Sequence, residues 1–308
     1  MKRFVSRLLA FLVLMFIVDR GFGLTMEYLQ THAKGGYIGH HNYILHQAKE
    51  DILIFGSSRA IHHYNPQILS DSLGMSCYNC GQDGNGIILF YAWWQMMKGR
   101  HCPKVIIYDV TPGFDLIAGD DNHRYLGWLR SEYENESVKE IFEEIDPIEK
   151  YKMQSMMYRY NSKFLQNITD YFHPVFQISS NGYLPLEGEM DKMRTKDISS
   201  DGGSSFVFDL QKLYYLKEFV KDVKEQGIIL VFVSSPNWYV IDETHFSPLV
   251  EICKIQNIPF FNFSKDTNYV KRDEMFIDGV HLNSCGADAF TKKLCTMVKP
   301  LLGKRDGY

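Results

Sequence analysis

The sequence predicts an α/β domain built on a parallel sheet of five strands, interrupted by a mostly helical insertion. Three observations predict it. Short continuous apolar runs recur along the chain, the pattern of strands covered on both faces. Helical stretches separate them, and strand–helix alternation reads as a parallel sheet with right-handed crossovers. Four of the runs end in polar loops, at 56–59, 79–85, 109–112 and 234–239. In such folds ligands bind beyond the carboxyl ends of the strands.

Taken in order, the chain opens on Met1-Lys2-Arg3 and is apolar throughout from Leu8 to Val18, 11 residues, before Asp19-Arg20. A basic start and an apolar stretch are those of a secretory signal or signal anchor. Counting from Phe4 gives 15 residues, short of the roughly 20 that span a bilayer comfortably. Arg7 and Arg20 can snorkel at the two ends. Lys2, Arg3 and Arg7 put the N-terminus on the cytoplasmic side. Residues 1–23 are therefore expected to be an uncleaved anchor in the inner, cytoplasmic membrane. The alternative is a buried or interfacial helix. Residues 24–308 then form an extracytoplasmic or periplasmic domain, with 24–50 leading to it from the membrane.

Ile52 to Phe55 is the first expected strand, and Asn65-Pro66 opens a capped helix with Ile68, Leu69 and Leu73 facing inward. Met75 to Tyr78 is the second strand. A glycine-rich loop, Asn79 to Gly86, then feeds an apolar helix from Ile87 to Met97. Lys104 to Tyr108 is the third strand. Residues 113–205 are rich in charge, Tyr, Met and Asn and read as the insertion, with helices at 138–150 and within 151–172 and a hinge at 199–205. An amphipathic helix at 209–226 leads into the fourth strand, 228–233. A helix at 245–256, a fifth strand at 258–261 and a closing helix at 284–302 complete the pattern.

Composition narrows the function. The 308 residues are 45% hydrophobic and 23% charged, those of a folded globular chain. The formal net charge is −4 with no basic stripe, which argues against a nucleic-acid partner. The six cysteines are scattered. Cys77-x-x-Cys80 sits in an expected strand rather than opening a helix, and no second pair exists for zinc. Buried thiols are the reading.

The chemistry rests on two short motifs far apart. Asp51-Ile-Leu-Ile-Phe-Gly-Ser-Ser-Arg59 puts a serine at the tip of the first strand, and Asp278-Gly-Val-His281 lies near the C-terminus. Ser58 is the candidate nucleophile, with Ser57 its rival. A serine hydroxyl needs a general base within about 2.6–3.2 Å. At the first turn of a helix, its own N–H also points where an oxyanion forms. His281 is the candidate base and Asp278 its orienting acceptor, three residues apart and able to meet on one side. Gly81, with no side chain to shield its N–H, is the second candidate oxyanion donor. The structural alternatives are an ordinary strand-to-helix turn and an Asp-Gly turn before the last helix. No Gly-x-Gly-x-x-Gly or P-loop follows the first strand, which argues against nucleotide binding.

Together these segments resemble the SGNH/GDSL hydrolase superfamily. The resemblance implies a three-layer α/β/α sandwich with a flavodoxin-like sheet and a Ser-His-Asp triad without metal or cofactor. The family's Gly-Asp-Ser block is matched by Gly56-Ser57-Ser58, its second-block glycine by Gly81, and its Asp-x-x-His block by Asp278 to His281. The Gly-x-Asn-Asp block is missing; Asp109-Val-Thr-Pro112 stands there, leaving Thr111 or Asn85 as the third donor. The variant first block, the N-terminal helix and the insertion resemble the branch of polysaccharide O-acetylation and teichoic-acid D-alanylation accessory proteins. That implies an acyl ester, acetyl first among them, on an envelope or exported polysaccharide, and partners in the machinery that modifies it. Arg59, His62 and Trp238 are the candidate substrate-binding residues, set against helix capping and core packing. The competing function is a catalytically silent carbohydrate-binding or assembly protein. The insertion lacks a long apolar lid, which argues against a lipase.

Overall fold

The structure is a computed structural model that describes residues 1–119, 122–175, 181–190 and 205–303. Its contacts divide the chain into two compact units, one of residues 1–47 with 121–178, the other of 48–120 with 179–308.

The second unit holds the sheet. Strands β1 (Ile52–Gly56), β2 (Cys77–Asn79), β3 (Val105–Asp109), β4 (Ile229–Ser234) and β5 (Phe260–Asn262) lie in the order β2-β1-β3-β4-β5, every neighbour parallel. That order is the flavodoxin-like one. All five strands end at one edge of the sheet, so the four polar loops singled out above share that edge.

Side chains alternate across the sheet with period two. Ile52, Ile54, Val105, Ile107, Val231 and Val233 face one core, filled by Tyr64, Leu69, Phe290 and Leu294 from helices on that side. On the other face Phe55 lies 6.0 Å from Phe90 and 6.1 Å from Phe219, and Tyr108 lies 5.6 Å from Phe219. Those rings come from the Ile87–Met97 and Leu210–Glu225 helices. Helices on both faces make the three-layer α/β/α sandwich expected from the sequence.

Helix starts follow local chemistry. The Asn65 side chain accepts from the Gln67 N–H, with Pro66 in the first helical turn. Asp209 caps the Leu210–Glu225 helix and Asn283 the Ser284–Leu302 helix in the same way. Cys77 and Cys80 are buried, and burial pushes both thiols well above their ordinary pKa.

The first unit is helical. Its first helix runs Lys2–His32, well past the boundary at residue 23. The reason is local: the Asp19 carboxylate accepts from Ser155 Oγ and from the N–H groups of Met156 and Met157, fixing the helix in this unit. Phe4 to Val18 remain exposed, and the helix is long and apolar enough to cross a membrane. A second helix, Gly36–His46, occupies the expected linker. The helix expected at 138–150 is broken after Ile145, where Pro147 follows and Asp146 Oδ1 accepts from Ile148 N–H. The expected hinge at 199–205, apart from Ser205, lies outside the described residues.

Near the end of β3, Asp115 is fully buried and accepts from Tyr108 Oη at 2.7 Å and Thr111 N–H at 2.7 Å. Burial pushes its pKa up to about 7 against those donors. The folded protein therefore holds this proton more tightly than the unfolded chain, whose carboxyl titrates near about 3.9. Its contribution to stability is present at low pH and is lost as pH rises from about 4 to about 7. Asp115→Asn, which cannot titrate, is expected to flatten that fall in denaturant titrations; an unchanged slope would contradict the assignment.

Candidate active site

Gly56 ends β1 with φ +141, and a Cβ there would stand 2.6 Å from the Asp109 carbonyl oxygen. Only glycine lets β1 pass so close to β3 at this turn. Ser57 then takes the N-cap position, and Ser58 is the first residue of a six-residue helix, Ser58–His63.

Ser58 Oγ lies 2.8 Å from His281 Nε2, although the residues are 223 positions apart. His281 Nδ1 lies 2.8 Å from Asp278 Oδ2. Because a carboxylate only accepts, Nδ1 donates, and Nε2 is left to accept from the serine hydroxyl. Asp278 Oδ1 also accepts from Val280 N–H at 2.8 Å and His281 N–H at 2.9 Å, which closes the turn that carries the imidazole. Burial alone would raise the Asp278 carboxyl, but the His281 ring and the two N–H groups outweigh it and hold the pKa below its ordinary value.

Behind this row lies a buried network. Asp109, Arg59, His63 and Ser235 are all nearly or wholly inaccessible. Asp109 accepts from Ser235 N–H at 2.9 Å and Ser235 Oγ at 2.8 Å, and Arg59 lies 3.7 Å away. His63 Nε2 accepts from Leu282 N–H at 3.0 Å, so its Nδ1 carries the proton and donates to Ser235 Oγ at 2.9 Å. Burial, with the charges of His281 and Arg59 beside it, pushes the His63 pKa well below its ordinary value, which agrees with a neutral ring. Burial raises Asp109, and Arg59 and Ser235 offset this only in part. The residue after His281 is thereby tied to β3, β4 and the Ser58–His63 helix.

The other expected site residues fall differently. Gly81 N–H is already committed to Asn79 Oδ1 at 2.9 Å, which corrects its role as a free oxyanion donor. Its lack of a side chain answers to packing, since a Cβ would stand 2.4 Å from Ile61 N. Asn85 Nδ2 donates within its own loop, to Asp83 O at 2.7 Å. Thr111 N–H is held by Asp115, but its hydroxyl lies 2.8 Å from Ser57 Oγ and lines the cavity beside Ser58. Among the described residues the Ser58 N–H has no acceptor, as expected in a first helical turn.

Arg59 is a correction as a substrate ligand: its guanidinium donates to Val110 O at 2.5 Å and Ser235 O at 3.3 Å beneath the site. His62 Nδ1 donates to Leu184 O at 2.6 Å, and its ring meets His281 edge-on at 5.5 Å. Trp238 packs against the core, with Nε1 donating to Asp273 at 2.8 Å; its neighbour Tyr239 lines the cavity instead. Ser235 and Asn237 were missed. Both sit in the polar loop after β4, the signal that could have found them. Elsewhere, His123, Asp146 and Glu149 bring ligand atoms within 4.8 Å of one another, but Lys152 Nζ already stands 2.6 Å from Glu149.

The cavity beside Ser58 and His281 measures about 870 Å³ and is lined by residues of the second unit. A hydroxyl, an imidazole and a carboxylate in this row can pass a proton from serine to a leaving group.

No protein-family profile and no curated protein matches the chain. Among solved structures it is similar to a protein described as lipolytic and of the G-D-S-L family from Desulfitobacterium hafniense DCB-2, with a TM-score of 0.40 and 10% identity over 80% of this chain and 98% of that one. It is also similar to an acetyl xylan esterase, AlAXEase, with a TM-score of 0.40 and 11% identity over 80% and 99%.

Ser235→Ala would leave His63 Nδ1–H without its acceptor and Asp109 without one donor, both buried. The expected loss of stability is about 1–3 kcal/mol in chemical denaturation. A variant as stable as the parent would show that the network does not hold the strand tips.

Proposed function

We propose that the chain is a serine esterase or O-acyltransferase working through an acyl-serine intermediate. The observation that carries this reading is the row Ser58 Oγ, His281 Nε2, His281 Nδ1 and Asp278 Oδ2, with 2.8 Å at each of its two links. His281 takes the Ser58 proton as Oγ bonds to the ester carbonyl carbon. The Ser58 N–H receives the oxyanion, with the Ser57–Thr111 hydroxyl pair beside it. The tetrahedral adduct collapses, the bond to the alcohol breaks, and His281 delivers the proton to that alcohol. Water, or an acceptor hydroxyl, then adds to the acyl-serine with His281 again as base.

The substrate proposed from the family resemblance is an acyl ester on an envelope or exported polysaccharide. The Lys2–His32 helix would hold the chain at the cytoplasmic membrane, with the catalytic unit outside. A second reading, a silent carbohydrate-binding relative, draws on one observation: Gly81 and Asn85 are both committed, so the oxyanion site is thinly supplied.

Hydrolysis of p-nitrophenyl esters by the full chain separates the two. Ser58→Ala and His281→Ala are each expected to lower kcat by a factor on the order of 10⁴ or more. Ser57→Ala should retain most of the turnover, and all three variants should keep their thermal stability. Turnover that survives Ser58→Ala would refute the enzyme reading.

A further inference from the structure

Resting on that reading, we propose that the cavity beside Ser58 is an acyl-chain cleft, so that this site takes esters of medium-length apolar acyl groups in preference to acetyl esters. At about 870 Å³ it lies near the upper end of ordinary ligand pockets, of roughly 300–1,000 Å³. An acetyl group would leave most of it empty.

The chemistry of the walls decides what fills it. Phe114, Ile117, Phe206, Val207, Ile241 and Val280 line it, and among the described residues no Asp, Glu or Lys does. Part of its polar lining is occupied with itself or with what lies beneath, while Ser205, Asn237, Tyr239 and His245 stand among the apolar residues. Ser57 and Thr111 hydroxyls bond each other, Ser58 faces His281, and the two terminal Arg59 nitrogens donate to the Val110 and Ser235 carbonyls. A sugar ring placed against those six apolar side chains would lose water from hydroxyls that gain no partner there, which is costly. A hydrocarbon chain loses nothing and gains about 0.8 kcal/mol for each methylene buried.

The cleft is also built rather than incidental. The chain at 206–209 runs antiparallel to 116–118, with Ala118 N–H donating to Val207 O at 2.8 Å and Asp209 N–H to Leu116 O at 2.9 Å. Lys212, fully buried, donates from Nζ to Gly113 O at 2.8 Å and Ile117 O at 2.9 Å. One wall is therefore pinned by backbone bonds and a buried ammonium. Because Ser58 and His281 form part of the same lining, a group held there is joined to the carbonyl carbon that Ser58 attacks, the acyl chain under this proposal.

The test compares p-nitrophenyl acetate, butyrate and octanoate with the full chain in lipid nanodiscs, and repeats the series with Ala118→Trp and Ser58→Ala. Two added methylenes are expected to raise kcat/KM about tenfold from acetate to butyrate, with a further rise to octanoate. Ala118 is exposed at the cleft and outside the reacting row, so Ala118→Trp should lower the ratio of octanoate to acetate turnover about tenfold. Ser58-dependent turnover with acetate equal or preferred, or an equal loss for all three esters in Ala118→Trp, would overturn the cleft and leave the esterase reading standing. Absence of Ser58-dependent turnover for every ester would overturn both.

Discussion

Burial of the Asp109 carboxylate against Arg59 is the constraint on which the functional edge of the sheet depends. A carboxylate at the end of the central strand β3 is costly to strip of water, and losing one partner of such a pair typically costs about 3–5 kcal/mol. Its partners come from separate parts of the chain. Arg59 lies one residue beyond Ser58, and Ser235 lies beyond β4. Through Ser235 Oγ the same network reaches His63 and then the N–H of Leu282, next to His281. The serine and the imidazole therefore share one buried support. Their 2.8 Å separation is set by the register of β1, β3 and β4 and not by the mobile reach of long side chains.

This arrangement explains how much the sequence could say. Continuous apolar runs such as Ile52 to Phe55 and Val105 to Tyr108 are buried on both faces, so strands, sheet and layers follow from period and order alone. The meeting of Ser58, His281 and Asp278 was legible from the residue types that the proposed proton transfer needs and from Ser58 standing at a strand end. Gly81 was legible as a required glycine but not in its purpose. Whether its N–H faces an empty site or the Asn79 side chain depends on a rotamer two residues away. Arg59 and Trp238 illustrate the same gap: a cation and an indole in the strand-end loops look like ligands until the buried Asp109 and the half-buried Asp273 are seen to hold them.

The N-terminal part shows a different limit. Hydropathy ends near Val18, and the helix does not, because Asp19 gains three donors from the 155–157 turn and Gly23 packs against Met156. Tertiary contacts within the unit extend an element that composition would stop. Substrate class is harder still to read from sequence. The apolar wall at 114–118 and 206–207 is assembled from residues that look unremarkable singly and acquire meaning only when the two segments pair.

The central claim is that Ser58 is a nucleophile activated by His281. Peptide mapping by mass spectrometry after exposure to a fluorophosphonate tests it most directly, because phosphonylation needs an activated hydroxyl and is irreversible. The account predicts a single adduct on Ser58 whose rate of formation collapses in His281→Ala. An adduct on Ser57, or no adduct on the folded protein across a range of pH, would contradict it.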